Sequence, residues 1–139
     1  MKRTKKNNKG FSLVELIVVV LIMAIIAVAL APQVMKWVGK SKTSSDVSNY
    51  ESIVSNVQLA LTEDTDIADA EITFDSTGIT VAGDDGADLV TALNKVTGYA
   101  LDASGKSTSI KANSGTYTIT VADGVVQRTT APDGSSVDD

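Results

Sequence analysis

An apolar run with a single acid in it constrains this chain more than any other feature. Across residues 11–31, roughly twenty positions, Glu15 is the sole ionisable side chain. Wound as a helix, the run reaches about 31 Å, enough to cross a hydrocarbon core. A charge at the centre of such a segment costs on the order of 2.5–3.5 kcal/mol, and less near its end. Two readings of Glu15 stand: its carboxylate snorkels to the headgroups and needs no partner, or it meets a cation inside the membrane.

The charge on either side of the run is uneven. Lys2, Arg3, Lys5, Lys6 and Lys9 place five of the 12 basic residues in the first ten positions, and the remainder carries seven basic against 17 acidic side chains. The basic end is therefore expected to stay inside and the C-terminal part to face outward, with Lys36, Lys40 and Lys42 opposing this only weakly. So acidic a product repels nucleic acid unless those three lysines form a local stripe, and no nucleic-acid partner is expected. With no Cys and no His, disulfides, thiol or imidazole metal ligation, and Ser-His-Asp or Cys-His catalysis are excluded. No catalytic residue, cofactor or metal is assigned, and the chain is not expected to be an enzyme.

Lys9-Gly10-Phe11-Ser12-Leu13-Val14-Glu15-Leu16 closely resembles the class III signal of type IV prepilins and type II secretion pseudopilins. Its parts are a short basic leader ending in glycine, an aromatic residue, and a glutamate at the fifth position after the cleavage point. Ser12 replaces the threonine common in the family. The resemblance implies that a prepilin peptidase cuts between Gly10 and Phe11 and methylates the new amino terminus. It also implies that Glu15 faces the Phe11 ammonium of a neighbouring subunit. Such a pair about 4 Å apart at an effective dielectric near 20 attracts by about 4 kcal/mol before desolvation, comparable with the insertion cost. Pro32 fits the family as well, where a proline here accompanies local loss of helix on packing into a filament. Physically, Pro32 removes one backbone donor and clashes with the carbonyl of Val28, so a kink or melted turn is expected there.

Beyond Pro32, Val47, Tyr50, Val54, Val57 and Leu61 repeat at spacings of three and four, with Lys42, Asp46, Asn49 and Gln58 between them. This is one apolar stripe on a long helix. Few cations lie on its polar face, which disfavours a membrane-surface helix. In the remainder, Ile72-Thr73-Phe74 and Ile79-Thr80-Val81 flank a turn at Asp75-Ser76-Thr77-Gly78. Asp88 is a candidate cap for a helix carrying Leu89, Leu93 and Val96 and ending at Gly98. Thr116 to Ala122 alternates strictly, and Asp123-Gly124 then signals a hairpin pairing Val126 with Val121 and Arg128 with Ile119. Residues 107–112 are expected to supply the preceding strand and residues 98–102 a fourth. Residues 131–139 read as a frayed tail.

The expected fold is α+β. A long N-terminal helix, transmembrane in its first half and amphipathic in its second, packs against a small antiparallel β-sheet head, which borrows the helix stripe as one wall of a thin core. Residues 1–10 form the removed leader, 11–61 the helix with 11–31 as its transmembrane or filament-core part, and 62–139 the head.

Two decoys carry less weight. Ala100 to Ser107 loosely fits a phosphate loop, but Gly105-Lys106 leads toward strand-forming residues rather than a helix. Asp64, Asp66 and Asp69, or Asp84, Asp85 and Asp88, offer oxygen ligands to Ca²⁺ without EF-hand spacing, and solvated loop charge is the better reading.

The function so implied is that of a structural subunit of a type IV pilus, its assembly resting on Phe11, Glu15 and Pro32. Its partners are further copies of itself, a prepilin peptidase, a pilus assembly platform and the cytoplasmic membrane before assembly. The alternatives are a pseudopilin of a secretion or DNA-uptake system, a secreted protein cleaved near Ala29 or Ala31, and a single-pass anchored enzyme or receptor.

Overall fold

The computed structural model describes residues 10–128. The leader cations Lys2, Arg3, Lys5, Lys6 and Lys9 and the expected tail lie outside the described residues. The chain divides into two compact units, Met1–Gly39 and Lys40–Asp139.

Helix α1 spans Leu13–Glu63 and passes through Pro32. The expected melted turn is not present: Pro32 withholds one amide from the ladder, but good helix formers on both sides keep helical hydrogen bonding across a helix of 51 residues. In the first unit α1 buries nothing, and residues 10–39 are all exposed.

In the second unit, α1 turns Tyr50, Ile53, Val54, Val57 and Ala60 into the core. The stripe read from the sequence is thus present but broader, because Ile53 and Ala60 join it and Leu61 is only half-buried. Against it stands a five-stranded antiparallel sheet in the order β3-β2-β1-β4-β5. Strand β1 is Asp69–Asp75, β2 Gly78–Ala82, β3 Lys106–Ser107, β4 Tyr117–Ala122 and β5 Val125–Arg128; helix α2, Gly86–Val96, lies between β2 and β3 in the chain. The α+β arrangement expected from periodicity is the one observed.

Alternation decides which side chains reach the core. Ala70, Ile72 and Phe74 of β1 and Tyr117, Ile119 and Val121 of β4 are all buried. Ile72 lies opposite both Val81 and Ile119, so three strands present one apolar row to the helix. The rings of Tyr50 and Phe74 each lie 5.8 Å from that of Tyr117, tilted by 42° and 34° respectively. This tilted packing suits aromatic quadrupoles. Leu89 and Leu93 of α2 complete the core.

Both expected hairpins form. In the first, Phe74 pairs with Ile79 and Asp75 with Gly78, leaving Ser76 and Thr77 as the turn. Gly78 adopts φ +136°, and a Cβ there would lie 2.0 Å from the carbonyl oxygen of Ser107. Only glycine lets β3 approach β2 at this point. In the second, Asp123 and Gly124 have φ of 53° and 73°, as a two-residue hairpin turn matched to strand twist requires. Val121 pairs with Val126 and Ile119 with Arg128, as expected.

Three local expectations are corrected. Asp88 lies inside the first turn of α2 and Asp85 holds the N-cap position, without a side-chain capping bond. Residues 98–102 form no strand, and from the expected strand at 107–112 only Ser107 pairs, with β2 rather than β4. Side chains satisfy the backbone there instead: Asn94 bonds both N–H and C=O of Leu101 at 2.9 Å, and Asp102 accepts from Ser104 and Lys106 N–H. Such bonds compete with a ladder.

Candidate processing and assembly site

Gly10, Phe11 and Ser12 precede the helix without helical structure. The expected scissile Gly10–Phe11 peptide therefore lies in chain without regular secondary structure, just ahead of α1. Phe11 is 92% exposed, and a Cβ on Gly10 would meet nothing within 4 Å. Nothing in the described chain blocks an enzyme from reaching this bond.

The helix starts where it does because Ser12 caps it. Ser12 Oγ accepts the Glu15 N–H at 3.2 Å, and the Ser12 carbonyl accepts the Leu16 N–H at 3.2 Å. Ser12-Leu13-Val14-Glu15 is the S-x-x-E spacing of a capping box, a signal the sequence carried and the reading of Glu15 as a lone acid passed over. Glu15 also lies in the first turn, where a carboxylate complements the positive end of the helix dipole. A new ammonium on Phe11 would sit at that same positive end, where a carboxylate is needed to offset it.

Phe11 and Glu15 thus share one end of α1. Pro32 is 17 residues from Glu15, about 26 Å along the axis. Between them Leu16, Ile17, Val18, Val19, Val20 and Leu21 are each 46–58% exposed. By length and composition, α1 is the one helix among the described residues able to cross a membrane.

The remaining candidates are placed as follows. Asp102 closes the Ala100 to Ser107 segment into a turn that leads into β3, so no helix N-terminus follows Lys106. Among the described residues, no three acidic side chains converge as a metal site would require. Asp85 Oδ2 accepts the Ala68 and Asp69 N–H groups at 2.8 and 2.9 Å. These bonds, that from Asp69 foremost, hold its carboxyl below the usual range. Thr77, through its hydroxyl first, does the same to Asp75, and the Ser104 hydroxyl to Asp102.

Asp46, one of the polar residues between the stripe positions, is fully buried. Its Oδ1 accepts from Asn113 N–H and Nδ2, and its Oδ2 from Ser114 N–H and Oγ. The partners come from a distant loop, so no local pattern pointed to it.

Residues 5–31 match the family model for the prokaryotic N-terminal methylation motif. Prepilin peptidase-dependent protein A of Clostridium perfringens is 34% identical over 83 residues, which cover 57% of this chain and 59% of that relative. The match thus spans about three fifths of the relative's length. No solved structure gives a significant match. At its N-terminus the chain is thus similar to proteins that carry the prokaryotic N-terminal methylation motif, and here that segment leads into an α+β fold.

Proposed function

We propose that this chain is a structural subunit of a type IV pilus. A prepilin peptidase removes residues 1–10 after Gly10 and methylates the Phe11 amine. Before assembly the first part of α1 anchors the chain in the cytoplasmic membrane with the head, residues 62–139, outside. An assembly platform then moves subunits from lipid into a helical homopolymer at the cell surface.

The observation that supports this best is the exposed apolar first part of α1, with one acid in its first turn and an accessible Gly10–Phe11 peptide just ahead of it. Contacts between identical rods that do not close into a ring give an open fibre. Glu15 of one subunit then meets the Phe11 ammonium of the next and sets their register. Pro32 marks where the ladder lacks an amide and where helix is given up at least cost on packing.

Electron microscopy of sheared cell-surface material, labelled with antibody to the head, tests the reading. Filaments decorated along their length support it. Bare cells whose protein export fails on deletion of the gene would assign the chain to a secretion pseudopilin instead.

A further inference from the structure

An apolar helix as long as the first part of α1 can cross a bilayer in two registers, and the placement of its charges favours one of them. Residues 11–31 have the length to span, but that register leaves Glu15 inside the hydrocarbon. It also places Val34, Met35, Trp37 and Val38, each 48–74% exposed, in water. Residues 16–35 carry no charge at all. As a helix they reach about 30 Å, the thickness of the hydrocarbon core. Glu15 bounds them at one end and Lys36-Trp37 at the other.

We infer that, in the membrane-bound chain, the hydrocarbon layer covers residues 16–35, with Lys36 and Trp37 docked in the phospholipid headgroup layer opposite Glu15. This rests on the membrane-anchoring part of the reading above. An indole with an apolar body and one N–H donor is most at home at headgroup depth, and Trp37 is 67% exposed on α1. Lys36, in the same turn and also exposed, lays its alkyl stem along the helix and offers its ammonium to lipid phosphate. Phospholipid is the occupant that fits, since an apolar belt of bilayer thickness ends in a cation matched to phosphate.

Two consequences follow. Glu15 lies at the inner headgroup layer in the precursor, so its burial accompanies entry into the filament and not insertion into the membrane. The Gly10–Phe11 bond lies beyond the hydrocarbon edge, among headgroups rather than lipid tails.

Trp37 is the chain's single tryptophan, so its fluorescence reports the register directly. The full precursor is reconstituted in vesicles of phosphatidylethanolamine and phosphatidylglycerol containing a lipid-borne quencher, either near the headgroup or deep in the acyl chain. The expected result is blue-shifted emission, quenched several-fold more by the shallow label than by the deep one and only weakly by iodide. In the 11–31 register Trp37 would stand about 9 Å above the hydrocarbon edge. Iodide quenching with little effect of either lipid label, in a chain that floats with the vesicles, would overturn this register while leaving the anchoring reading intact. Blue-shifted emission insensitive to both labels and to iodide would mean that a second copy covers Trp37, and it overturns the inference too. A chain that fails to float overturns the anchoring reading and the inference together. Lys36→Glu sets a like charge against phosphate and is expected to raise quenching of Trp37 by the neutral quencher acrylamide about twofold or more; no change would remove the role given to Lys36.

Discussion

Asp46 on α1 and Asn113 in the loop before β4 are 67 positions apart, and one carboxylate oxygen joins them twice. Asp46 Oδ1 accepts the Asn113 backbone N–H at 2.7 Å and its Nδ2–H at 2.8 Å, while Oδ2 takes the Ser114 N–H at 2.9 Å. Residues 108–116 contain no strand, so this clasp substitutes for a ladder in fixing their path.

Asp46→Ala leaves at least two backbone donors without their acceptor and is expected to cost about 2–4 kcal/mol. For a unit of this size, that corresponds to a Tm lower by about 10–20 °C. Asp46→Asn turns one acceptor into a donor facing a donor and is expected to fall between. Thermal unfolding followed by circular dichroism measures both, and a Tm within about 2 °C of the parent for Asp46→Ala would remove the clasp's importance.

Glu15→Ala is expected to leave membrane insertion intact or improved and the head folded, because Glu15 is exposed and belongs to the unit that does not contain the core. Filament yield is expected to fall tenfold or more if the lost pairing contributes about 1.4 kcal/mol net. Counting filaments per cell by electron microscopy checks this. Normal yield would show that the acid is only a residue of the first helical turn, with no part in assembly.

Gly10→Val tests processing. The Cβ at this position meets nothing within 4 Å, so the substitution leaves the fold undisturbed and any defect belongs to the peptidase step. The expected outcome is a precursor band that no longer shifts to the mature size on a gel. A normal shift would place cleavage elsewhere.

Acid is expected to weaken the head. The Thr77 hydroxyl holds the Asp75 carboxyl below its ordinary value of 3.8, and the Ser104 hydroxyl does so for Asp102. A carboxyl depressed in the folded state adds stability that is present above the unfolded value and lost as pH falls through the folded one. Melting temperature is therefore expected to hold steady above about pH 5 and to decline below about pH 4, less steeply in Asp75→Asn. A Tm that rises between pH 5 and pH 3 would contradict this.

Much of the fold was legible because it is written in local chemistry. Asp123-Gly124 permits positive φ at both turn positions, and the strict alternation of Tyr117, Ile119 and Val121 fixed the register on either side. The segment between Val96 and Tyr117 was not legible. Its threonines and serines suit a strand, but the backbone bonds that matter come from Asn94, Asp102 and Asp46, and only folding brings the last of these near. At the N-terminus the reverse occurred: Ser12 and Glu15 carried a capping signature in plain sight, overshadowed by the cost of a charge in an apolar run.

The central claim is that the apolar rod of α1, with Glu15 in its first turn, stays on the mature chain and drives its assembly. Intact-mass and fragmentation spectrometry of the protein recovered from the cell surface tests it most directly. The account predicts a chain that begins at Phe11 and carries one added methyl group on its amine. A chain that begins at Leu30 or Pro32, with the rod removed, would contradict it.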